Sequence, residues 1–213
     1  MSENAAALTE LQLDALTELV NLGISNAALG LRDMVREEVL LSVPNVALVT
    51  RAQAVANLGT GQTRRLVAVH QTFEGDITGR ALLIFPEAKS MELVRAIVGG
   101  ELSLEEIVEL EQEALAETGN VLLNGCLGTI ANSLERTLKT SLPEVLHGDG
   151  AEIFDLSPAR VGDRVIFIYI NFTVKLRAIS GYIAMLLDLP SLVVLRTLLD
   201  IFIERTTGIP PAT

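Results

Sequence analysis

A chain of 213 residues that is 49% apolar has the length and hydrophobic content to bury a substantial core, which excludes intrinsic disorder. Its formal net charge of −11, without a basic stripe, argues against nucleic acid as a partner, since phosphates are bound by clustered Lys and Arg. The lone cysteine, Cys126, cannot form an internal disulfide and no charged-then-apolar leader opens the chain, so a cytoplasmic location is expected.

The first predicted element is a helix from about Thr9 to Glu37, with Thr9 as N-cap and no proline inside. Strands follow at Val39 to Val49 around Pro44, at Arg65 to Phe73, and at Ile77 to Phe85 between Gly75 and Pro86. Pro86 suits the first turn of a helix ending near Gly99 and Gly100. The second half repeats this order. A helix from Ser103 or Glu111 to Lys139 precedes a strand at Pro143, strands at Arg164 to Phe172 and Leu176 to Leu187, and a helix from Pro190. Aligning Gly79 with Gly181 implies three extra residues in the second half, placed in a Gly-rich loop near His147 to Ala151. The most apolar stretch, Gly181 to Ile203, is interrupted by Asp188, Pro190, Arg196 and Asp200, so no membrane insertion is expected.

This order predicts an α+β fold: a single unit over residues 1–213, built as an internal duplication of repeats at about 9–100 and 103–205. A pseudo-two-fold axis would relate the repeats across a largely antiparallel sheet of about six strands, covered by long helices.

The duplication is sharpest at its polar positions. Asp14, Glu18, Asn21 and Pro44 recur 99 positions later as Glu113, Glu117, Asn120 and Pro143. On a helix, positions i, i+4 and i+7 turn by about 40° and then back to about −20°, so each acid–acid–amide trio forms one narrow stripe. Ser25 and Asn124 extend the two stripes, while Leu16, Ala27 and Met34 in one helix and Leu115, Leu122 and Cys126 in the other lie opposite. One such trio is most simply a solvated helix face. Its recurrence favours a shared task, although duplication alone is the sober alternative. A carboxamide both donates and accepts hydrogen bonds, so it can orient a water without acting as a strong base. Phosphoryl transfer, with its loose transition state, needs little more than such positioning and charge stabilisation.

The spacing D/S/E-x3-E-x2-N-x22-P resembles the CheC family of chemotaxis phosphatases. "NLGISNAALGL" at Asn21 to Leu31, "VPNV" at Val43 to Val46 and "GDITGRALLIF" at Gly75 to Phe85 extend the resemblance over nearly the whole chain. It implies an enzyme that hydrolyses the phospho-aspartate of a CheY-like response regulator. Asn21 and Asn120 would orient the water, and Glu18 and Glu117 would pair with the regulator's lysine. Asp14, Glu113, Pro44 and Pro143 would support the motifs. The resemblance implies no cofactor of the chain's own, with Mg²⁺ held by the regulator. It also implies association with the receptor deamidase CheD, which leaves a non-catalytic adaptor as the alternative function. Two motifs without room for a further domain match stand-alone CheC rather than the one-site CheX-like or the extended FliY-like members.

Gly119 precedes Asn120 as the family pattern has it, whereas Val20 precedes Asn21 and Ser25 replaces a frequent Gly. Val20 is expected to hinder docking, which ranks Glu117 and Asn120 as the dominant site. His70 and His147 are too isolated for a metal site, and Cys126 falls on the apolar face as a core residue. Gly59-Thr60-Gly61 lacks the ending of a phosphate-binding loop and reads as a turn between strands.

Overall fold

A computed structural model describes residues 7–35, 38–58, 65–98, 103–154, 164–174, 177–208 and 210. In chain order the elements are α1 (Glu10–Val35), β1 (Val39–Thr50), α2 (Arg51–Asn57), β2 (Leu66–Gly75), β3 (Gly79–Pro86) and α3 (Glu87–Val98). There follow α4 (Leu104–Ser133), β4 (Leu138–Thr140), β5 (Glu144–Gly148), α5 (Gly150–Phe154), β6 (Arg164–Val174), β7 (Arg177–Leu187) and α6 (Leu189–Thr207).

Local chemistry sets the helix starts. Thr9 Oγ1 accepts from the Gln12 backbone N–H at 3.2 Å while Gln12 Oε1 accepts from the Thr9 N–H at 3.0 Å, a reciprocal cap for α1. Ser103 and Glu106 cap α4 in the same way, and Asp188 caps α6 ahead of Pro190. Gln12 Nε2 also donates to Asp200 Oδ1 at 2.8 Å, which ties the start of α1 to α6.

The seven strands among the described residues form one antiparallel sheet in the order β1-β6-β7-β3-β2-β4, with β5 also pairing β2. Since β4 and β5 lie end to end along the outer edge of β2, the order is symmetric about the β7–β3 pair. Each half's first strand is completed by the other half: β1 pairs β6, and β5 pairs β2. The registers keep the 99-residue spacing, with Val46 opposite Ile168 and Val145 opposite Val69.

One face of the sheet carries α1, α3, α4 and α6 over the larger core, which includes Leu19, Val69, Phe85, Leu122 and Leu199. The other face carries α2 and α5 over a smaller cluster around Phe154 and Phe167. Helices α1 and α4 run antiparallel in close contact. A Cβ on Gly23 would lie 2.8 Å from Cys126 Cα, and one on Gly125 would lie 2.8 Å from Ala27 Cβ.

Several boundaries differ from the sequence expectation. The helix expected to reach Lys139 stops at Ser133, because Glu135 adopts a left-handed backbone (φ 56°) and Arg136 donates back to Ala131 O. Lys139 lies in β4 instead. His147 to Ala151 is not a loop insertion: it holds the end of β5 and the start of α5, with Asp149 and Glu152 bonding reciprocally at 2.9 Å.

The alignment of Gly79 with Gly181 also fails. Gly79 pairs Phe73, whose counterpart 99 residues on, Phe172, pairs Ile179, so the hairpin spacing is 100 and Gly181 corresponds to Ala81. The two glycines answer different crowding. A Cβ would meet Leu186 O at 2.4 Å on Gly79 and the Phe85 ring at 2.6 Å on Gly181.

Candidate functional site

Both trios stand as the helical arithmetic predicts. Asp14 and Glu18 are exposed and Asn21 is half-buried on α1, and Glu113, Glu117 and Asn120 repeat this on α4. The opposite faces, with Leu16, Leu19, Ile24 and Ala27 in one helix and Leu115, Leu122 and Cys126 in the other, are in the core. Each helix therefore offers two carboxylates to solvent beside a recessed amide. The two prolines take different places. Pro44 lies inside β1 where the pairing with β6 shifts register, whereas Pro143 precedes β5.

The surroundings of the two amides differ. Asn120 Oδ1 accepts from Asn124 Nδ2 at 2.6 Å and, more distantly at 3.4 Å, from Gln71 Nε2. Gln71 is fully buried on β2, and its Nε2 also donates to Ser141 O at 2.9 Å. Ser141 is clamped to β2 in turn: its Oγ accepts from the Thr72 N–H at 3.0 Å, and its own N–H donates to Thr72 O at 2.9 Å. With Oδ1 occupied, Asn120 keeps its Nδ2 hydrogens for a partner.

At 99 residues' spacing, Asn21 has Ser25 in place of Asn124 and Ile170 in place of Gln71. Ile170, being apolar, offers Asn21 no donor equivalent to that of Gln71.

Gly119 explains how α4 comes near enough to β2 for this contact. A Cβ there would lie 2.3 Å from Val69 Cγ1, so only glycine permits the approach. Val20, its counterpart, is wholly buried in the core. The expectation that Val20 obstructs a docking partner is therefore corrected: the side chain points inward, and the glycine serves packing within the chain.

An exposed apolar residue, Leu142, directly follows Ser141. It is 85% exposed, and it lies between Ser141 and Pro143. Its counterpart Val43 is half-buried in β1.

Gln71 and Ser141 were not singled out from sequence. The signal was a polar residue on the inward row Val67, Val69, Gln71, Phe73, where alternation demands an apolar one.

Cys126 is buried and its thiol is pushed up to about 12 by burial, so it is no nucleophile. His70 sits 3.9 Å from Glu144 on the face away from the trios, and His147 is exposed. No group of His, Cys, Asp and Glu among the described residues could hold a metal. No helix among them is long and apolar enough to cross a membrane. Gly59-Thr60-Gly61 falls outside the described residues.

A sequence profile of the family described as chemotaxis phosphatase CheX matches residues 67–170, a stretch that contains Glu117 and Asn120 but not Glu18 and Asn21. The CheY-P phosphatase CheC of Bacillus subtilis (strain 168) is 27% identical over 167 residues, covering 76% of this chain and 79% of that protein. The putative CheY-P phosphatase CheC1 of Halobacterium salinarum is 23% identical over 67% of this chain and 72% of its own length. Among solved structures, Thermotoga maritima FliY superposes with a TM-score of 0.73 at 17% identity, covering 94% of this chain and 100% of that one. CheX from Desulfovibrio desulfuricans gives 0.53 at 14% identity, over 80% and 99% of the two chains. Both share the fold.

Proposed function

We propose, from the premise that the chain belongs to the CheC, CheX and FliY superfamily of chemotaxis phosphatases, that it accelerates hydrolysis of the phospho-aspartate of a CheY-like response regulator. The observation that carries this reading is the second trio: exposed Glu117 beside recessed Asn120, whose carbonyl is already bonded within the chain.

On docking, Asn120 enters the regulator's phosphorylation site. Its free N–H donates to one lone pair of a water and leaves the other facing phosphorus. The water oxygen forms a bond to phosphorus while the acyl phosphate P–O bond breaks. Aspartate departs as carboxylate, and both of the water's hydrogens leave with inorganic phosphate, as dihydrogen phosphate. Glu117 pairs with a lysine of the regulator; Mg²⁺, which the regulator rather than this chain would hold, would supply charge neutralisation at the phosphoryl group. Asn21 and Glu18 do the same at the first site. The chain thus contributes position rather than a nucleophile or a metal. An adaptor alone, including one serving CheD, would have no chemical need for two amides so placed.

The test is decay of a radiolabelled phospho-regulator with catalytic amounts of this chain. Faster release of inorganic phosphate with turnover is the expected result. Unchanged decay across candidate CheY-type regulators would reject the proposal.

A further inference from the structure

We propose that Gln71, a buried strand residue outside the motif, is a positioning residue that sets the orientation of the Asn120 amide at the second site. The inference rests on the phosphatase reading above and adds a residue to it.

One acceptor beside Gln71 cannot be inverted. A side-chain amide can turn over, but the Ser141 backbone carbonyl can only accept, and it lies 2.9 Å from Gln71 Nε2. That bond fixes the nitrogen end of Gln71 on the side facing Ser141. The same nitrogen lies 3.4 Å from Asn120 Oδ1, so the facing atom of Asn120 must be its oxygen. Asn124 Nδ2, at 2.6 Å, supplies a second donor to that oxygen. Asn120 therefore turns its Nδ2 hydrogens toward any docked phosphoryl group. Without the two donors its amide could rotate and present oxygen or nitrogen alike.

The cost of this arrangement is visible beside it. Gln71 Oε1 is buried without a hydrogen-bond partner among the described residues. A purely structural position would avoid that cost, and the corresponding place in the other half does so with Ile170, fully buried and apolar. Gly119 completes the assembly, since the close approach of α4 to Val69 brings the helix amide within reach of the strand amide.

The experiment isolates the second site in the full chain carrying Asn21→Ala. There Gln71→Met, which keeps the shape and removes the donor, is expected to lower kcat by about tenfold to a hundredfold with KM unchanged, as for a misplaced reacting group. Melting should change little, because a buried unpaired acceptor is removed while Ser141 O loses one donor. Gln71→Leu, which also fills the buried place without any donor, should lose kcat likewise. In the Asn120→Ala background, where only the first site works, both changes should leave kcat untouched. Full kcat for folded Gln71→Met and Gln71→Leu in the Asn21→Ala background would overturn the inference while leaving the phosphatase reading intact. Equal losses in both backgrounds would overturn it as a general structural effect. If Asn120→Ala itself cost nothing in the Asn21→Ala background, the parent reading would fall and this one with it.

Discussion

At the scale of residues, the two copies of the device share spacing and differ in support. Asn120 is held by Asn124 and Gln71, while Asn21 has Ser25 and Ile170 at the matching places. Leu142, left 85% exposed one residue after the Ser141 that holds Gln71, forgoes about 1.5–3 kcal/mol of burial, which docking would recover. Leu142→Asp should therefore raise KM for the phospho-regulator at least tenfold with kcat unchanged in the Asn21→Ala background. A change confined to kcat would contradict that assignment. His70 makes a separate, pH-linked contribution. Burial lowers its pKa below the ordinary 6.5 and Arg80 adds to this, with Glu144 opposing. The unfolded chain then binds a proton that the folded chain refuses, so stability is greatest above about 6.5 and falls as the pH drops below it. Denaturant unfolding at pH 7.5 and 5.5 should show a smaller loss for His70→Gln than for wild type. Equal losses would count against this account of His70.

At the scale of elements, glycine placement decides how close the helices come. Gly119→Ala would put a methyl group 2.3 Å from Val69 Cγ1, and relief requires α4 to shift. The expected loss is about 1–3 kcal/mol, read by chemical denaturation, with reduced second-site activity in the Asn21→Ala background. Undiminished stability would mean that the contact is loose. The long elements were legible in the sequence for physical reasons. Thr9 caps a real helix, Pro190 lies in the first turn of another, Pro44 sits at an irregularity of its strand, and apolar periodicity located the buried faces of α1 and α4. The short ones were not. At seven and five residues, α2 and α5 are too brief to show a helical period, and three-residue β4 exists only because β2 offers an edge. The polar stripes were readable because helical spacing alone defines them. The floor beneath Asn120 was not, since Gln71 and Ser141 reach it through strand pairing and a loop separated by 70 positions.

At the scale of the molecule, the halves are interlocked, with each one's first strand paired to the second strand of the other. That pairing sets the two sites over opposite halves of one sheet. Helices α1 and α4 cross antiparallel near Asn26 and Gly125, which separates Asn21 from Asn120 by about 15 Å along the helix axes. One chain thus carries two spatially distinct copies of the same device. The most direct test of the whole account is phospho-regulator decay with the Asn21→Ala/Asn120→Ala double variant, run beside circular dichroism. The account predicts a wild-type spectrum and melting profile, since neither side chain lies in the core, together with decay no faster than the regulator's own. A folded double variant that still accelerates decay as wild type does would contradict it.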